Sequence, residues 1–306
     1  MKRNIKARIA RAARIIRNGG VVIFPTETVY GIGADALNPR AVKKIFALKG
    51  RPSDNPLIVH IADMEQLSLI ARRIPRDAEE LMKQFWPGPL TLVFQKTKRI
   101  PNIVTAGLKT VAVRMPSHPI ARALIRTAGV PIAAPSANVS GRPSATEAEH
   151  AHDDFRRKAP FILHAGRARF GVESTVFDMR GKRPVILREG AIPREAIERA
   201  LKKRVAVLKH TSGRARSPGM KYRHYAPRVP VIPASDVLSV KRRLARRGYR
   251  VGVIRRAGSM ASYARTLFSK MRRLEKSGVD YIVVQKVPRQ GIGAAIMDRV
   301  RRAAQP

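Results

Sequence analysis

The sequence predicts an α/β fold in two parts, because short apolar strands alternate with amphipathic helices along most of its 306 residues. The clearest case is an apolar strand at 21–24, a helix between Asn38 and Gly50, and a second apolar strand at 57–61. Asn38 is suited to cap the N-terminus of this helix and Gly50 to end it. We interpret the segment as a crossover unit, in which the helix joins two parallel strands.

The same alternation continues through the first part of the chain, which we expect to end near residue 208. Further helices are predicted at 63–73, 77–85, 118–128 and 193–202, and further strands at 90–94, 110–114, 132–134, 160–164, 174–178 and 184–188. Asp77 and Glu80 have the spacing of a capping box at the start of one of these helices. The pattern predicts a sheet flanked by helices.

Residues 209–230 interrupt the periodicity with Pro, Gly and many cations, which predicts a linker. The α/β alternation then returns and predicts a small Rossmann-like domain. Its helices are predicted at 235–247, 260–276 and 294–304, and its strands at 250–254 and 281–284. The expected organisation is therefore a larger α/β domain at 1–208, the linker at 209–230 and a C-terminal domain at 231–306.

The chain is strongly basic, with 62 Lys and Arg against 21 Asp and Glu and a formal net charge of +41. Such an excess favours contact with polyanions, including nucleic acid. Aromatic residues make up only 5% of the chain, and no basic stretch interleaved with aromatics indicates a nucleic-acid module. We therefore interpret most of the charge as general surface and expect at most weak, non-specific RNA binding.

Several function classes are excluded by residues that the sequence lacks. It contains no Cys, so disulfides, thiolate zinc sites and Cys nucleophiles are excluded. It also lacks a GxxxxGK[ST] phosphate loop, an HExxH motif and a GxSxG elbow, and we expect no metal site built by the protein. No apolar run approaches the roughly 20 residues of a membrane span, and we expect a cytoplasmic protein without membrane contact.

Polar side chains suited to ligand binding are dense between the first two predicted strands and just beyond. Thr28 follows the first strand, Lys49, Arg51 and Asn55 precede the second, and His60 interrupts its apolar run. Ligands of α/β folds bind beyond the carboxyl ends of strands, so these residues are candidates for ligand binding. The alternative is that Lys49 and Arg51 only complement the dipole of the preceding helix.

A series of motifs carries a resemblance to a known family. PTETVYG, K-x-R at Lys49 and Arg51, NPLIVHI, WPGPLT, VAVRMP, S-x-N at Ser136 and Asn138, GVESTV and LREGAI occur in this order. Together they resemble the YrdC-type domain, which has a twisted mixed sheet with flanking helices. SPGMKYRHYAP, followed by a domain that ends in GIGAAIMDR, resembles the two-domain Sua5 form. The resemblance covers almost the whole chain.

This resemblance implies an L-threonylcarbamoyladenylate synthase. Such enzymes form threonylcarbamoyl-AMP and pyrophosphate from L-threonine, bicarbonate and ATP, and their product feeds the t6A transferase machinery that modifies tRNA. The implied threonine pocket consists of Thr28, His60, Arg114, Ser136 and Ser174. The implied ATP contacts are Arg51, Asn55, Thr110, Asn138, Thr146, Arg188 and Tyr225. Lys49 and Arg51 are the implied catalytic residues beside the phosphates, with Mg²⁺ carried by ATP.

The chemistry of these side chains suits the implied roles. Arg114 can bind the amino-acid carboxylate in a bidentate manner. Lys49 and Arg51 can offset the charge of the departing pyrophosphate, so that catalysis rests on positioning and electrostatics. We also expect residues 217–227 to act as a lid over the cleft, with Tyr225 contacting the nucleotide.

Two stretches depart from the family pattern, and two other readings stay open. His164-Ala165-Gly166 precedes GVEST, and Glu189 follows Arg188, which puts the local loop geometry in question. The alternatives are a carbamoyl-adenylate-forming domain of the carbamoyltransferase type and an RNA-binding protein without catalysis. ATP turnover that requires both L-threonine and bicarbonate distinguishes the synthase from both.

Overall fold

The structure is a computed structural model that describes residues 2–180, 184–208 and 224–305. Within these residues the larger sheet contains ten strands: β1 (Val22–Phe24), β2 (Gly31–Asp35), β3 (Ile58–His60), β4 (Leu90–Gln95), β5 (Thr110–Arg114), β6 (Ile132–Ala133), β7 (Phe161–Ile162), β8 (Thr175–Asp178), β9 (Val185–Arg188) and β10 (Ala206–Val207). The helices that flank it are α1 (Lys2–Arg17), α2 (Pro39–Lys49), α3 (Met64–Ile70), α4 (Arg76–Phe85), α5 (Asn102–Thr105), α6 (Pro119–Ala128), α7 (Ala148–Phe155) and α8 (Arg194–Leu201).

A second, smaller sheet follows in the C-terminal part of the chain. Its strands are β11 (Val231–Ala234), β12 (Val251–Ile254) and β13 (Tyr281–Gln285), and its helices are α9 (Val237–Ala245), α10 (Met260–Lys276) and α11 (Ile292–Ala303). The three strands are parallel in the order β11-β13-β12. Helix α9 packs on one face, and α10 and α11 pack on the other. This arrangement confirms the predicted small Rossmann-like unit.

The larger sheet is mixed, with the strand order β10-β9-β8-β4-β5-β3-β6-β2-β1-β7. This confirms the predicted fold class, but the predicted crossover unit is wrong. Strand β1 pairs antiparallel with β2, and β6 lies between β2 and β3, antiparallel to both. Helix α2 therefore joins β2 to β3 rather than β1 to β3.

Strand β2 was absent from the sequence prediction because two glycines weaken its strand signal. A Cβ atom at Gly33 would lie 2.5 Å from Ile132 Cγ2 and 2.7 Å from Phe24 Cε1. The close approach of neighbouring side chains thus requires glycine at this position. Gly33 therefore permits the close packing of the sheet, and its low strand propensity is the reason that β2 was not predicted from the sequence.

The predicted ends of α2 are confirmed, whereas the predicted capping box is wrong. The Asn38 side chain accepts hydrogen bonds from two backbone amides of the first turn, and Gly50 ends the helix with a φ of 59°. Helix α4 instead begins after Pro75, with no side-chain hydrogen bond at its cap. Asp77 therefore lies within the first turn of α4, where its charge complements the helix dipole.

The two faces of the larger sheet are covered differently, and this creates the site. Val59 and Val113 point into the main core beneath α2, α3 and α4. On the opposite face, α1 and α6 cover the sheet around β1 and β6. Ile58 and Ala112 belong to a smaller apolar cluster on the face of β3, β4, β5, β8 and β9. Because side chains alternate along a strand, polar residues at the strand ends share this second face.

The two sheet units contact each other through buried ion pairs. Arg272 of α10 donates to both carboxylate oxygens of Asp154, at 2.8 and 2.9 Å, and Arg142 pairs with Glu275 at 2.6 Å. Gly171 packs so closely on α10 that a Cβ atom there would lie 2.4 Å from the Cα of Arg265. Among the described residues, none of the helices has the length and apolar character needed to cross a bilayer.

Candidate active site

One cavity on the second face of the sheet collects the predicted threonine-binding residues. Thr28, His60, Arg114, Ser136 and Ser174 all line it, although they come from five separate stretches of sequence. Two of the predicted ATP contacts, Arg51 and Arg188, line the same cavity, together with Tyr30, Glu173 and His224. The structure therefore brings together the residues that sequence order alone keeps apart.

Arg114 lies at the end of β5 with its guanidinium held from three sides. Its Nε donates to the Gly88 carbonyl at 3.2 Å, Nη1 to the Thr28 hydroxyl at 2.9 Å, and Nη2 to Glu27 Oε1 at 2.6 Å. Each terminal nitrogen still carries one N–H that can donate to a ligand. The guanidinium is thus fixed in orientation while it keeps donors for an anion.

Glu27 is a site residue that the sequence analysis missed. Its side chain is buried against Arg114, and its second oxygen, Oε2, has no hydrogen-bond partner among the described residues. Burial opposes ionisation of this carboxyl, but the adjacent Arg114 guanidinium lowers its pKa below the ordinary value. The available signal was its place inside PTETVYG, between Thr26 and Thr28.

Ser174 is held by neighbours on both sides. Its hydroxyl lies 2.7 Å from the Thr91 hydroxyl on β4. Arg188, on β9, donates through Nη2 to the Ser174 carbonyl at 2.9 Å and to its hydroxyl at 3.1 Å. The positions of Ser174 and Arg188 are therefore coupled, so we expect a substitution of one residue to displace the side chain of the other.

Two buried imidazoles face the cavity and are neutral at physiological pH. Burial, together with the nearby Arg114, lowers the pKa of His60 to about 3. Burial, together with Arg51 and other cations, lowers the pKa of His224 to about 3 as well. His60 Nδ1 and His224 Nε2 have no hydrogen-bond partner among the described residues. Both rings are suited to hydrogen bonding with a ligand and unsuited to act as bases near neutral pH.

Buried polar atoms without partners are rare in folded proteins, and several of them occur around this cavity. Besides the two imidazoles, both side-chain polar atoms of Asn55 and Oδ1 of Asn138 are unpartnered among the described residues. Asn55 adjoins the cavity because its carbonyl accepts a hydrogen bond from Arg51 at 3.2 Å, and Asn138 is two residues from Ser136. This concentration of unsatisfied groups indicates a binding site for a polar ligand.

Lys49 lies beside the cavity and supports its wall. Its buried ammonium donates to the backbone carbonyls of Ser136, at 2.7 Å, and Asn138. Burial, with the nearby Arg51, lowers the pKa of this amine well below its ordinary value. Two of its three N–H donors thus fix the loop that carries Ser136 and Asn138. The catalytic role predicted for Lys49 stays a prediction.

Two further predicted ATP contacts, Thr110 and Thr146, are not among the residues that line the cavity. Thr110 is at the opposite end of β5 from Arg114 and lines a separate surface cleft with Lys96 and Asn102. Thr146 is buried, and its hydroxyl lies 3.3 Å from His150 Nδ1. The roles of Thr110 and Thr146 stay predictions.

Tyr225 is packed into the core of the smaller unit rather than into the cavity. Its ring stacks on Phe268 with centroids 5.5 Å apart, and the Arg299 guanidinium lies 5.0 Å from its ring centroid. The preceding residue, His224, lines the cavity. Residues 217–223 of the predicted lid lie outside the described residues, as does most of the predicted linker. The contact between Tyr225 and nucleotide stays a prediction.

The two departures from the family pattern have local explanations. The loop at 164–166 is held by Tyr30, whose hydroxyl donates to the Gly166 carbonyl at 2.8 Å and accepts from the Ala165 amide at 3.0 Å. Glu189 points toward Arg289, with Nη2 and Oε2 3.8 Å apart, and it is not among the residues that line the cavity. Burial, together with the nearby Asp298, raises the pKa of Glu189 above its ordinary value.

Comparison with known proteins identifies the family. The Sua5/YciO/YrdC family, described as "telomere recombination", matches residues 14–190, and the "Threonylcarbamoyl-AMP synthase, C-terminal domain" matches residues 192–305. A curated threonylcarbamoyl-AMP synthase of Pyrococcus abyssi is 46% identical, with 98% of this chain and 96% of the relative covered. One from Bacillus subtilis is 44% identical, with 97% and 92% covered.

A solved structure agrees with the sequence relatives. The crystal structure of P. abyssi Sua5 complexed with L-threonine superposes with a TM-score of 0.93 at 45% identity, covering 97% of this chain and 94% of that one. The agreement extends over both sheet units rather than the larger one alone. The chain therefore belongs to the Sua5/YciO/YrdC family, in the two-domain form that carries the threonylcarbamoyl-AMP synthase C-terminal domain.

Proposed function

We propose that this chain forms threonylcarbamoyl-AMP and pyrophosphate from L-threonine, bicarbonate and ATP, with the cavity around Arg114 as its threonine site. The observation that carries the assignment of the site is Arg114 itself. It is a buried guanidinium with two uncommitted N–H donors, surrounded by hydroxyls and unpartnered imidazole nitrogen. The family membership and its threonylcarbamoyl-AMP synthase relatives support the reaction.

Arg114 binds the threonine carboxylate through the N–H groups that Thr28 and Glu27 leave open. Charge-assisted bidentate bonds of this kind are strong and directional, so they fix the orientation of the amino acid. Ser136, Ser174 and the neutral His60 then surround its ammonium and hydroxyl groups. Because the pKa of His60 is about 3, the imidazole orients the substrate instead of removing its proton at neutral pH.

ATP occupies the same face of the sheet, beyond the threonine. Arg114, Ala112 and Thr110 alternate along β5 and point to this face, so the line from Arg114 to Thr110 spans about 13 Å. Ile58, Val93 and Ala112 form an apolar strip between the polar ends, which suits a nucleoside. We place the phosphates near Arg51 and Arg188, and the base toward Asn55 and Thr110. Mg²⁺ arrives bound to the ATP phosphates.

The reaction needs positioning and charge compensation more than a strong base. The threonine amine adds to carbon dioxide derived from bicarbonate and loses a proton to solvent, which gives a carbamate. A carbamate oxygen attacks the α-phosphorus, the bond from that phosphorus to the bridging oxygen breaks, and pyrophosphate leaves. Arg51 and Arg188 stabilise the charge that develops on the phosphates, and Lys49 holds the loop of Ser136 and Asn138 beside them.

The division of labour between the two parts of the chain follows the expected domains. We place the catalytic domain at 1–208 and the C-terminal domain at 231–306, with 209–230 as the linker. Strand β10 supports the first boundary, because it pairs with β9 in the larger sheet. The product is then passed, in the cytoplasm, to the t6A transferase that acts on tRNA.

Pyrophosphate release tests the proposed function. In a reaction that contains L-threonine, bicarbonate and ATP with Mg²⁺, we expect pyrophosphate and threonylcarbamoyl-AMP in equal amounts. Omission of L-threonine or bicarbonate should abolish both. Release of pyrophosphate at an unchanged rate without L-threonine would contradict the proposal.

A further inference from the structure

Helix α11 of the smaller unit places a buried cation behind the active cavity. Arg299 is fully buried, although it belongs to the second sheet unit. Its Nε donates to Glu173 Oε2 at 2.7 Å and its Nη1 to Asp298 Oδ2 at 2.7 Å. Glu173 lines the cavity that contains Arg114. The second unit therefore contacts the wall of the active site through the Arg299 side chain.

Glu173 connects three segments of the chain at this wall. The Ser144 hydroxyl donates to Glu173 Oε1, which links the carboxylate to the loop after Ser136 and Asn138. The Glu173 carbonyl accepts from the Ala191 amide at 3.0 Å. The next residue is Ser174, which Arg188 grips through its carbonyl and hydroxyl. Any displacement of Glu173 is therefore transmitted directly to Ser174 and to the Arg188 side chain.

The Glu173 carboxylate is buried, and its charge must be balanced by neighbouring groups. The groups that face it are Arg299 and Asp298 on α11, Arg188 on β9, Ser144 and Tyr225. Burial opposes its ionisation, whereas Arg299 and then Arg188 lower its pKa below the ordinary value. Arg188 donates to Ser174, so Arg299 is the cation that hydrogen-bonds to this carboxylate.

We propose that Arg299 is a positioning residue for the synthase reaction, through which the second unit holds Glu173, Ser174 and Arg188 in their working geometry. The inference rests on the proposed function, and it assigns a role in that reaction to the second unit. Arg299 itself does not line the cavity, so its action passes through Glu173. An orientation error of about 1 Å in such a site lowers catalysis roughly 100-fold.

Arg299→Met in the full-length chain is the primary test. We expect kcat/KM for L-threonine to fall about 100-fold, because Ser174 and Arg188 lose their fixed positions. Arg299→Lys keeps the charge but cannot reach Glu173 and Asp298 together, so we expect a smaller loss. Arg301→Met is the matched control, because Arg301 lies on the same helix, is 44% exposed and also pairs with Asp298. It should retain the activity of the unmodified chain.

The pH dependence separates positioning from general loss of structure. In Arg299→Met the pKa of Glu173 should rise, because burial still raises it and the guanidinium that lowered it most is absent. The defect should therefore be smallest at low pH, where Glu173 is protonated, and should grow as pH rises through the new pKa. In Glu173→Gln/Arg299→Met this dependence should vanish because the carboxylate is gone, whereas kcat/KM should stay low because the link from α11 to residue 173 is still missing.

The outcomes distinguish this inference from the proposed function. If the unmodified chain makes no threonylcarbamoyl-AMP, the proposed function fails. If the unmodified chain is active and Arg299→Met matches it in kcat/KM and pH profile, the positioning role is wrong. If Arg299→Met does not fold, the kcat/KM values of the folded double variant and of Arg299→Lys test the positioning role instead. A folded double variant with the kcat/KM of the unmodified chain would overturn the inference, because positioning would then not need the link from α11.

Discussion

Replacement of Arg114 is the perturbation that follows most directly from the geometry of the cavity. The substitution Arg114→Ala removes the guanidinium that we place on the threonine carboxylate. Hydrogen bonds to charged groups contribute about 1.5–3 kcal/mol each, and a loss of 1.4 kcal/mol is tenfold in affinity. Loss of even one such bond predicts at least a tenfold weaker threonine affinity, and loss of the bidentate pair predicts more than 100-fold.

The same substitution leaves Glu27 buried without its partner, and this effect must be separated from substrate binding. Breaking a buried pair on one side costs about 3–5 kcal/mol of folding stability. The double variant Glu27→Gln/Arg114→Met removes both charges, so it should recover much of this stability and still bind threonine weakly. Arg51→Ala is the matched comparison: it should weaken ATP binding and spare threonine.

Calorimetric titration of threonine and of ATP measures these effects, and thermal unfolding measures the cost to folding. A stable double variant that binds threonine as tightly as the unmodified chain would refute the placement of the carboxylate on Arg114. Exchange of the two phenotypes, with Arg51→Ala losing threonine and Arg114→Ala losing ATP, would show that the two sites are inverted.

Four further predictions follow from the site and the surface. Threonine should be preferred over serine by about 10–200-fold, and over valine by more, because valine leaves the polar groups of the pocket unpaired; competition assays measure both ratios. Because His60 and His224 have a pKa of about 3 when folded, against about 6.5 when unfolded, stability should decrease as pH falls from about 6.5 toward 3. In the His60→Gln and His224→Gln variants, the free energy of unfolding from chemical denaturation should decrease less steeply as pH falls. A dependence on pH equal to that of the unmodified chain would contradict this prediction. Tyr225→Ala should reduce the yield of threonylcarbamoyl-AMP while threonine binding persists, and full yield would argue against the lid. RNA affinity should be weak, insensitive to sequence and steeply dependent on salt in filter binding, and tight binding at several hundred millimolar salt would contradict a general surface charge.

Local features of this fold could be predicted from the sequence, because they depend on neighbours along the chain. Strand β5 has the predicted bounds, and α2 has its predicted cap at Asn38 and its predicted end at Gly50. Strand β2 was not predicted because Gly31 and Gly33 pack against Phe24 of β1 and against side chains at β6, which is about 100 residues away in the sequence. The order in which the strands pair could not be predicted for the same reason. The predicted β1-α2-β3 crossover was wrong, because α2 joins β2 to β3.

The candidate site shows the same division. Some of the residues that line the cavity were identified from motifs, including Thr28, His60 and Arg114. Glu27 was not identified, and neither was the contact of Lys49 with the Ser136 carbonyl, because this contact and the one between Glu27 and Arg114 each span 87 residues. No local pattern records such contacts, since they arise only when the sheet brings distant strand ends together.

The most direct test of the central claim is the fate of labelled bicarbonate in the reaction. With ¹³C-bicarbonate, L-threonine and ATP, we expect the label in threonylcarbamoyl-AMP, with one pyrophosphate released for each labelled product. At a threonine concentration that only just saturates the unmodified chain, Arg114→Ala should form no labelled product. Mass spectrometry of the quenched reaction measures the product directly. Formation of pyrophosphate and AMP without a labelled, threonine-containing adenylate would contradict the claim.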